Sequence, residues 1–291
     1  MSFAHSAARF LDGLTRLAKE RYSVSLMDLE SGRTRTVASP LASYYADPFV
    51  VSDAGAAWLF CEEFHYPTSR GHIAAARLTS DLAPTALKRV LDPGCHASFP
   101  FVFPHEGRFF MLPETSRGGF VGLYECDAMP DRWRPVARLL DGVDCADSVL
   151  HRHRGTWYLI TSEADSPATS NRRLAIYFAD ALLAETWQPH PVNRERRYAE
   201  RPHGYGRNAG ALVEAGALLL RPMQSSTDYY GQATRIMQVV ELSPARFEER
   251  PFEGEHILQR IAAGHSTHHV SEAGGIAAWD TRTRVNAGVP R

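Results

Sequence analysis

The sequence predicts an all-β fold, a five-bladed β-propeller preceded by one amphipathic helix. Three observations carry this expectation. Phe3, Ala7, Phe10, Leu11, Leu14, Leu17 and Ala18 recur at three- and four-residue spacing, so residues 3–21 present one apolar helical stripe. Beyond them the helical period disappears, and short apolar or alternating runs follow, separated by turn residues. Those runs recur as a self-similar unit of roughly 50–60 residues with three or four strands each, the sequence form of a propeller blade.

The units can be followed along the chain. The first holds residues 46–51, a turn at 53–55, then 57–60 and 72–78. The second holds 98–103, 108–112 and 120–126; the third 146–150, 156–161 and 173–178. The fourth holds 209–213, 217–221 and 234–242, and the fifth begins at His268-His269-Val270 and continues through 276–279. A similar phrase closes three of them: Asp131-Arg132-Trp133-Arg134-Pro135, Glu185-Thr186-Trp187-Gln188-Pro189 and Ala245-Arg246-Phe247. The fifth unit is short of strands, and residues 22–29 form a spare one, so pairing the two would close the ring and bury its edges. The expected organisation is thus a helix over 1–21 and a single propeller domain over 22–291. A β-sandwich would explain the strands, but not the periodic aspartate-then-apolar openings.

Composition bounds the function. The 291 residues are 44% hydrophobic and 22% charged, enough apolar material for a large core. A net charge of −1 encodes no overall attraction to nucleic acid or anionic membranes. No apolar run approaches the ~20 residues of a membrane span, and the N-terminus lacks a secretion signal. Lysine occurs only at Lys19 and Lys88; the arginine excess suits bidentate recognition of carboxylate or phosphate, or reflects a bacterial codon bias. Cys61, Cys95, Cys126 and Cys145 form no CxxC pair and fit reduced thiols of a cytoplasmic protein.

In a propeller the inner strands begin around one mouth, so distant residues converge there. The residues at or near those starts are Asp47, His96, Asp147, Arg207-Asn208 and His268-His269, with Glu114 ending a neighbouring strand. Each has a plainer role available: Asp47 and Asp147 as turn caps, Glu114 as an exposed loop carboxylate. His268 and His269 invite a metal, but neighbours on a regular strand point to opposite faces and cannot share one ion. His151 and His153 are expected to face solvent, and Arg194, Arg196, Arg197, Arg201 and Arg207 form either a phosphate grip or a solvated loop. No Gly-rich phosphate loop, GxSxG elbow or HExxH occurs, so no cofactor and no metal is assigned.

The phrases Ala46-Asp47-Pro48-Phe49, Gly71-His72-Ile73, His96-Ala97-Ser98-Phe99-Pro100, Pro113-Glu114-Thr115-Ser116, Ala146-Asp147-Ser148, Arg207-Asn208-Ala209-Gly210, Arg221-Pro222-Met223-Gln224, Tyr230-Gly231 and His268-His269 resemble the N-terminal propeller-type domain of glucosamine inositolphosphorylceramide transferases. The resemblance spans about residues 44–272. That domain is similar in fold to five-bladed glycoside hydrolases of the arabinanase and β-xylosidase type. The resemblance implies Asp47 as general base and Asp147 as the aspartate that tunes and orients the acid. It also implies a glutamate opening the fourth blade, where this chain has Arg207-Asn208; Glu200 and Glu114 are the carboxylates within reach.

The expected ligand is a glycoside or related polar metabolite, handled by Asp47, Asp147 and Glu114. His96, Arg207, Asn208, Arg221, Gln224, Tyr230, His268 and His269 would bind it, while Phe99, Phe101, Tyr124 and Tyr230 offer flat faces to sugar C–H groups. Two other possibilities stand beside a hydrolase-like or glycosyl-transferring enzyme. One is a non-catalytic module that binds a glycan or glycolipid headgroup for a partner sugar-modifying enzyme. The other is a metal-dependent enzyme using His96, one of His268 and His269, and the carboxylates.

Overall fold

The computed structural model describes residues 21–115, 118–164, 172–195, 206–226, 231–264 and 266–283. The helix expected over 3–21 lies outside them except for Arg21, which already belongs to a strand. Five four-stranded antiparallel sheets stand as blades. Blade I is β3 (Ser43–Asp53), β4 (Ala56–His65), β5 (Arg70–Leu78) and β6 (Lys88–Leu91). Blade II is β7 (Ser98–His105), β8 (Arg108–Glu114), β9 (Phe120–Ala128) and β10 (Arg132–Asp141). Blade III is β11 (Cys145–His153), β12 (Thr156–Ala164), β13 (Arg172–Ala179) and β14 (Gln188–Pro189). Blade IV is β15 (Val213–Ala215), β16 (Leu218–Ser225), β17 (Ala233–Leu242) and β18 (Phe247–Pro251). Blade V joins the two ends of the chain, with β19 (Thr267–Ala273), β20 (Ile276–Thr283), β1 (Arg21–Asp28) and β2 (Thr34–Thr36) in that order.

Local chemistry explains the blades. The inner hairpins of blades I, II and III turn through two left-handed residues, Ala54-Gly55, Glu106-Gly107 and Arg154-Gly155, whose twist matches that of paired strands. The repeated closing phrases sit at the outer strands. Their aromatic residues anchor those strands: Trp187 and Phe247 are buried, and Trp133 meets Phe60 of the neighbouring blade edge-on at 5.8 Å. Apolar faces of adjacent blades interleave. One cluster runs from Phe49, Phe60 and Phe99 through Met111 and Val149 to Ile160 and Phe247, and a second packs Val24 and Leu26 of blade V on Val50 and Leu59 of blade I. The blade V–I seam also carries a polar tie, Ser271 Oγ donating to Pro48 O at 2.6 Å.

Closure is also covalently economical. β1 pairs with β20 from Arg21↔Thr283 to Asp28↔Ile276 and with β2 on its other side, so both of its edges are hydrogen-bonded. At the seam of blades IV and V, Val270 N donates to Ala209 O at 2.7 Å. The next residue, Gly210, has φ +146, and a Cβ there would run into Val270 O. Gly216, in the β15–β16 turn with φ +62, has open space around it. Gly210→Ala is therefore expected to lower unfolding free energy by more than about 2 kcal/mol, and Gly216→Ala by only about 1 kcal/mol. Equal losses in urea titrations would show that the seam is looser than the backbone contact implies.

Candidate functional site at the inner-strand starts

One backbone device builds the site. In blades I, II and III the inner ladder breaks at the same place, between Ala46 and Phe49, Ser98 and Phe101, and Ala146 and Val149. The first extra residue of each bulge is left-handed: Asp47 at φ 50, Phe99 at φ 46 and Asp147 at φ 51. For a residue with a side chain this costs on the order of 1 kcal/mol or more, and it releases an amide from the ladder. Each released amide finds a carboxylate at the blade junction. Asp47 N donates to Asp280 Oδ2 at 2.9 Å, Phe99 N to Asp47 Oδ2 at 3.2 Å, and Asp147 N to Glu114 Oε2 at 3.0 Å. The acids are thus placed by backbone needs before any ligand is considered.

His268 supplies a cation at the blade V–I junction. Its Nδ1 lies 3.2 Å from Asp280 Oδ2 and 3.3 Å from Asp47 Oδ1. Burial alone would depress its pKa, but Asp280 and Asp47 outweigh burial and raise it to about 9. Burial likewise pushes Asp47 up to about 7, against the pull of His268. Asp280 moves the other way: His268 holds it below the ordinary carboxylate range in spite of burial. Its Oδ1 also accepts the His269 amide at 2.8 Å. The His269 ring is wholly buried against Phe49 and Phe99, with centroids at 4.6 and 5.1 Å, and burial lowers its pKa to about 3. It stays neutral.

Arg207 supplies the second cation, on the far side. It binds Asp147 bidentately through Nε and Nη2 and reaches Glu114 Oε2 at 3.6 Å. Burial raises Asp147 to about 6, with Arg207 opposing and Glu114 adding to the rise. Asn208 locks blade IV to this corner, donating to Asp147 O at 2.7 Å and Ile160 O at 3.0 Å. Gln224 Nε2 reaches Asn208 O at 3.2 Å and Asp147 Oδ2 at 3.5 Å. All five blades contribute, so Asp47, Glu114, Asp147, Arg207, His268 and His269 do not lie on separate outer surfaces.

Several sequence expectations need correction. Arg221 is not a ligand-facing arginine: it is fully buried, clamped by both oxygens of Glu249 at 2.8 and 2.9 Å, and it orients Asn208 Oδ1 at 3.0 Å. Phe99 and Phe101 are core residues packed on Phe49, with no face open to a sugar, and Tyr124 is also buried. The rule that adjacent histidines diverge fails here, because the strand is irregular between Thr267 and His269; both rings approach Asp47 Oδ1, at 3.3 and 3.9 Å. His151 is largely buried and stacked on His153 instead of facing solvent. His96 is not at a bulge; Phe99 holds that place, and His96 Nδ1 accepts from Gly71 N at 2.9 Å. Tyr230 and Glu200 lie outside the described residues.

One buried carboxylate was missed. Glu62, on β4 opposite Ala46, sits 3.6 Å from His96 Nε2, and burial pushes its carboxyl well above the ordinary range, with Asp47 and Glu114 adding to the rise. It lies mid-strand, beside Cys61 and Glu63, away from any strand opening. The signal available was its place in the repeat, the second-strand position of blade I that Glu114 holds in blade II. Among the described residues, Asp47, His268 and Asp280 are the group whose ligand atoms lie within 4.8 Å of one another, as a metal would require. The imidazolium of His268 already provides the positive charge there. No helix among the described residues is long and apolar enough to cross a membrane.

Comparison with known proteins places this geometry. Residues 31–271 match the family model described as glucosamine inositolphosphorylceramide transferase 1, N-terminal. The chain is 30% identical over 211 residues to glucosamine inositolphosphorylceramide transferase 1 of Arabidopsis thaliana, covering 72% of this chain and 27% of that protein. The protein of the same name from Oryza sativa subsp. japonica is 29% identical over 212 residues, covering 72% of this chain and 28% of that one. The chain therefore spans about a quarter of the length of these relatives. In fold it is similar to a GH43 β-1,3-galactosidase solved with galactodeoxynojirimycin (TM-score 0.56, 12% identity, 74% of this chain and 78% of that one). It is likewise similar to an α-L-arabinofuranosidase from Lactobacillus brevis (TM-score 0.53, 15% identity, 80% of each chain).

The charge pattern has a consequence for stability. His268 binds its proton more tightly folded than unfolded, so its contribution is complete below about pH 6.5 and lost as pH rises towards 9. Asp47, titrating near 7, acts in the same direction. Unfolding free energy is expected to fall by up to about 1.4 kcal/mol per pH unit for each group, between about pH 4 and 7 for Asp47 and between about pH 6.5 and 9 for His268, and His268→Gln to flatten the upper slope. A His268→Gln profile parallel to wild type in denaturant titrations would contradict the charged imidazole.

Proposed function

The chain belongs to the family of the N-terminal domain of glucosamine inositolphosphorylceramide transferase 1, and from that premise we propose that it handles a sugar-bearing ligand at the axial acids. Asp47 would act there as general base on a glycoside. The observation that carries this reading is the convergence of Asp47, Glu114 and Asp147 from three blades, with His268 and Arg207 beside them. Carboxylates accept hydrogen bonds from sugar hydroxyls, which suits a polyhydroxylated ligand. A base that titrates near 7 is matched to neutral pH, where it is substantially ionised and still able to accept a proton. Asp147 lies across the site and accepts both Arg207 and Gln224, which fixes its orientation toward a bound ligand.

The relatives' name refers to glucosamine and inositolphosphorylceramide, and the propellers of similar fold are named for galactosides and arabinofuranosides. These names support a glycoside or glycolipid headgroup as the ligand class. Arg207 would suit an anionic substituent, provided the ligand draws it from Asp147. That same pairing favours a second reading. Where a hydrolase of this fold would present an acid from blade IV, this chain spends a guanidinium on neutralising Asp147. The domain would then bind a headgroup without turning it over, for a partner sugar-modifying enzyme.

Aryl glycosides separate the two. With the fold intact by circular dichroism, Asp47→Asn is expected to reduce turnover by 10²–10⁴-fold, on the order of what a general base supplies. Undiminished turnover removes Asp47 from the chemistry. Glycan-array binding by wild type, with no turnover of any arrayed or aryl glycoside, selects the second reading instead.

A further inference from the structure

The axial site, read as catalytic, still needs a proton donor, and the geometry points to Glu62: we propose that this side chain is the general acid that works with Asp47. The inference rests on the catalytic reading above and adds an acid where blade IV, among the described residues, opens with Arg207-Asn208.

The repeat shows why Glu62 differs from its counterpart. In blade II the second-strand residue opposite the last ladder residue before the bulge is Glu114, paired with Ser98. In blade I the same place is Glu62, paired with Ala46. Glu114 receives the bulge amide of the next blade, that of Asp147, at 3.0 Å. The corresponding amide for Glu62 is that of Phe99, and it goes to Asp47 Oδ2 instead. Glu62 is thereby deprived of the donor that would favour its ionised form. Its Oε1 is buried with no hydrogen-bond partner among the described residues. A buried carboxyl oxygen without a full hydrogen bond favours the protonated form of its group.

The surroundings reinforce this. The charges that act on Glu62 are those of Asp47 on β3, Glu114 on β8, Asp280 on β20 and Asp147 on β11, all acidic, and His96 Nε2 lies 3.6 Å from its Oε1. The nearby acids disfavour a further negative charge. His96 takes the Gly71 amide on Nδ1, so its hydrogen is on Nε2, 3.6 Å from Glu62 Oε1 and beyond a full hydrogen bond. The backbone leaves room for the carboxyl: a Cβ on Gly71 would collide with Glu62 Oε1 and stand 2.7 Å from Ala97 O. The position is built around this side chain, and a purely apolar role would not call for a carboxyl there.

The step balances with water as the only co-reactant. The glycosidic C–O bond breaks, its electron pair stays on the leaving oxygen, and that oxygen takes the proton of Glu62. The oxygen of water bonds to the anomeric carbon and gives one proton to Asp47. The proton gained by Asp47 and the one lost by Glu62 then exchange with solvent, and both groups are restored.

The test uses 2,4-dinitrophenyl and phenyl glycosides of galactose, arabinose and glucosamine, with wild type, E62Q and D47N. A dinitrophenolate leaves without help from an acid, whereas a phenolate benefits from a proton. E62Q is expected to lose 10²–10⁴-fold in kcat/KM on phenyl glycosides, less than 10-fold on dinitrophenyl ones, and the alkaline limb of the pH profile. D47N is expected to lose activity on both. Equal E62Q losses on the two leaving groups, or none on either, overturn the assignment. Should D47N keep full activity while E62Q shows the selective loss, the base reading fails and the acid stands. Independently of turnover, the infrared difference spectrum of wild type minus E62Q at pH 7 is expected to show a protonated-carboxyl band; a carboxylate band there overturns the proposal.

Discussion

An amide released from a β-ladder in a closed interior must find an acceptor, and the whole axial site follows from that requirement. Three blades carry the same bulge, and each turns one amide toward the neighbouring blade. Asp280, Asp47 and Glu114 are the acceptors. The same bonds that fasten blade to blade therefore concentrate negative charge near the axis. Structure and chemistry are not separable here, because the groups that could handle a ligand are also the groups that hold adjacent inner strands in register.

That concentration is only partly neutralised. His268 stands between Asp47 and Asp280, and Arg207 spans Asp147 and Glu114. The two cations serve opposite sides and leave Glu62 to neither. The outcome is a set of carboxyls pushed apart: Asp280 held below the ordinary range, Asp47 and Asp147 shifted up towards neutral pH, and Glu62 raised well above the ordinary range. Environments that push like groups apart are how one site comes to hold an acid and a base together. A fold selected for stability alone would have little reason to hold Asp47 and Asp147 in a left-handed backbone.

Much of this was legible in the sequence, for a definite reason. The blades announce themselves because each must bury two faces and turn sharply, which imposes alternating apolar residues and glycine-bearing turns at regular spacing. Asp47 and Asp147 stood out because an aspartate directly before an apolar run is unusual and occurred twice in the same register. What stayed hidden depends on three-dimensional pairing. Arg221 has the look of a ligand-binding arginine until Glu249, 28 residues away, is seen to consume it. Phe99 looks like a sugar platform, yet its place in the bulge turns it inward, where Phe49 and His269 enclose it. The one sequence signal for Glu62 is its match to Glu114 in the repeat, and its meaning emerges only with the destination of the Phe99 amide.

The most direct measurement of the account is a crystal structure of the D47N protein soaked with a glycoside such as phenyl galactoside. The convergence of five blades predicts the sugar on the axis, its hydroxyls within hydrogen-bond distance of Asp147 and residue 47, and its glycosidic oxygen on the Glu62 side. A sugar bound only at the rim or on an outer strand, with the axial acids unchanged and untouched, would contradict it.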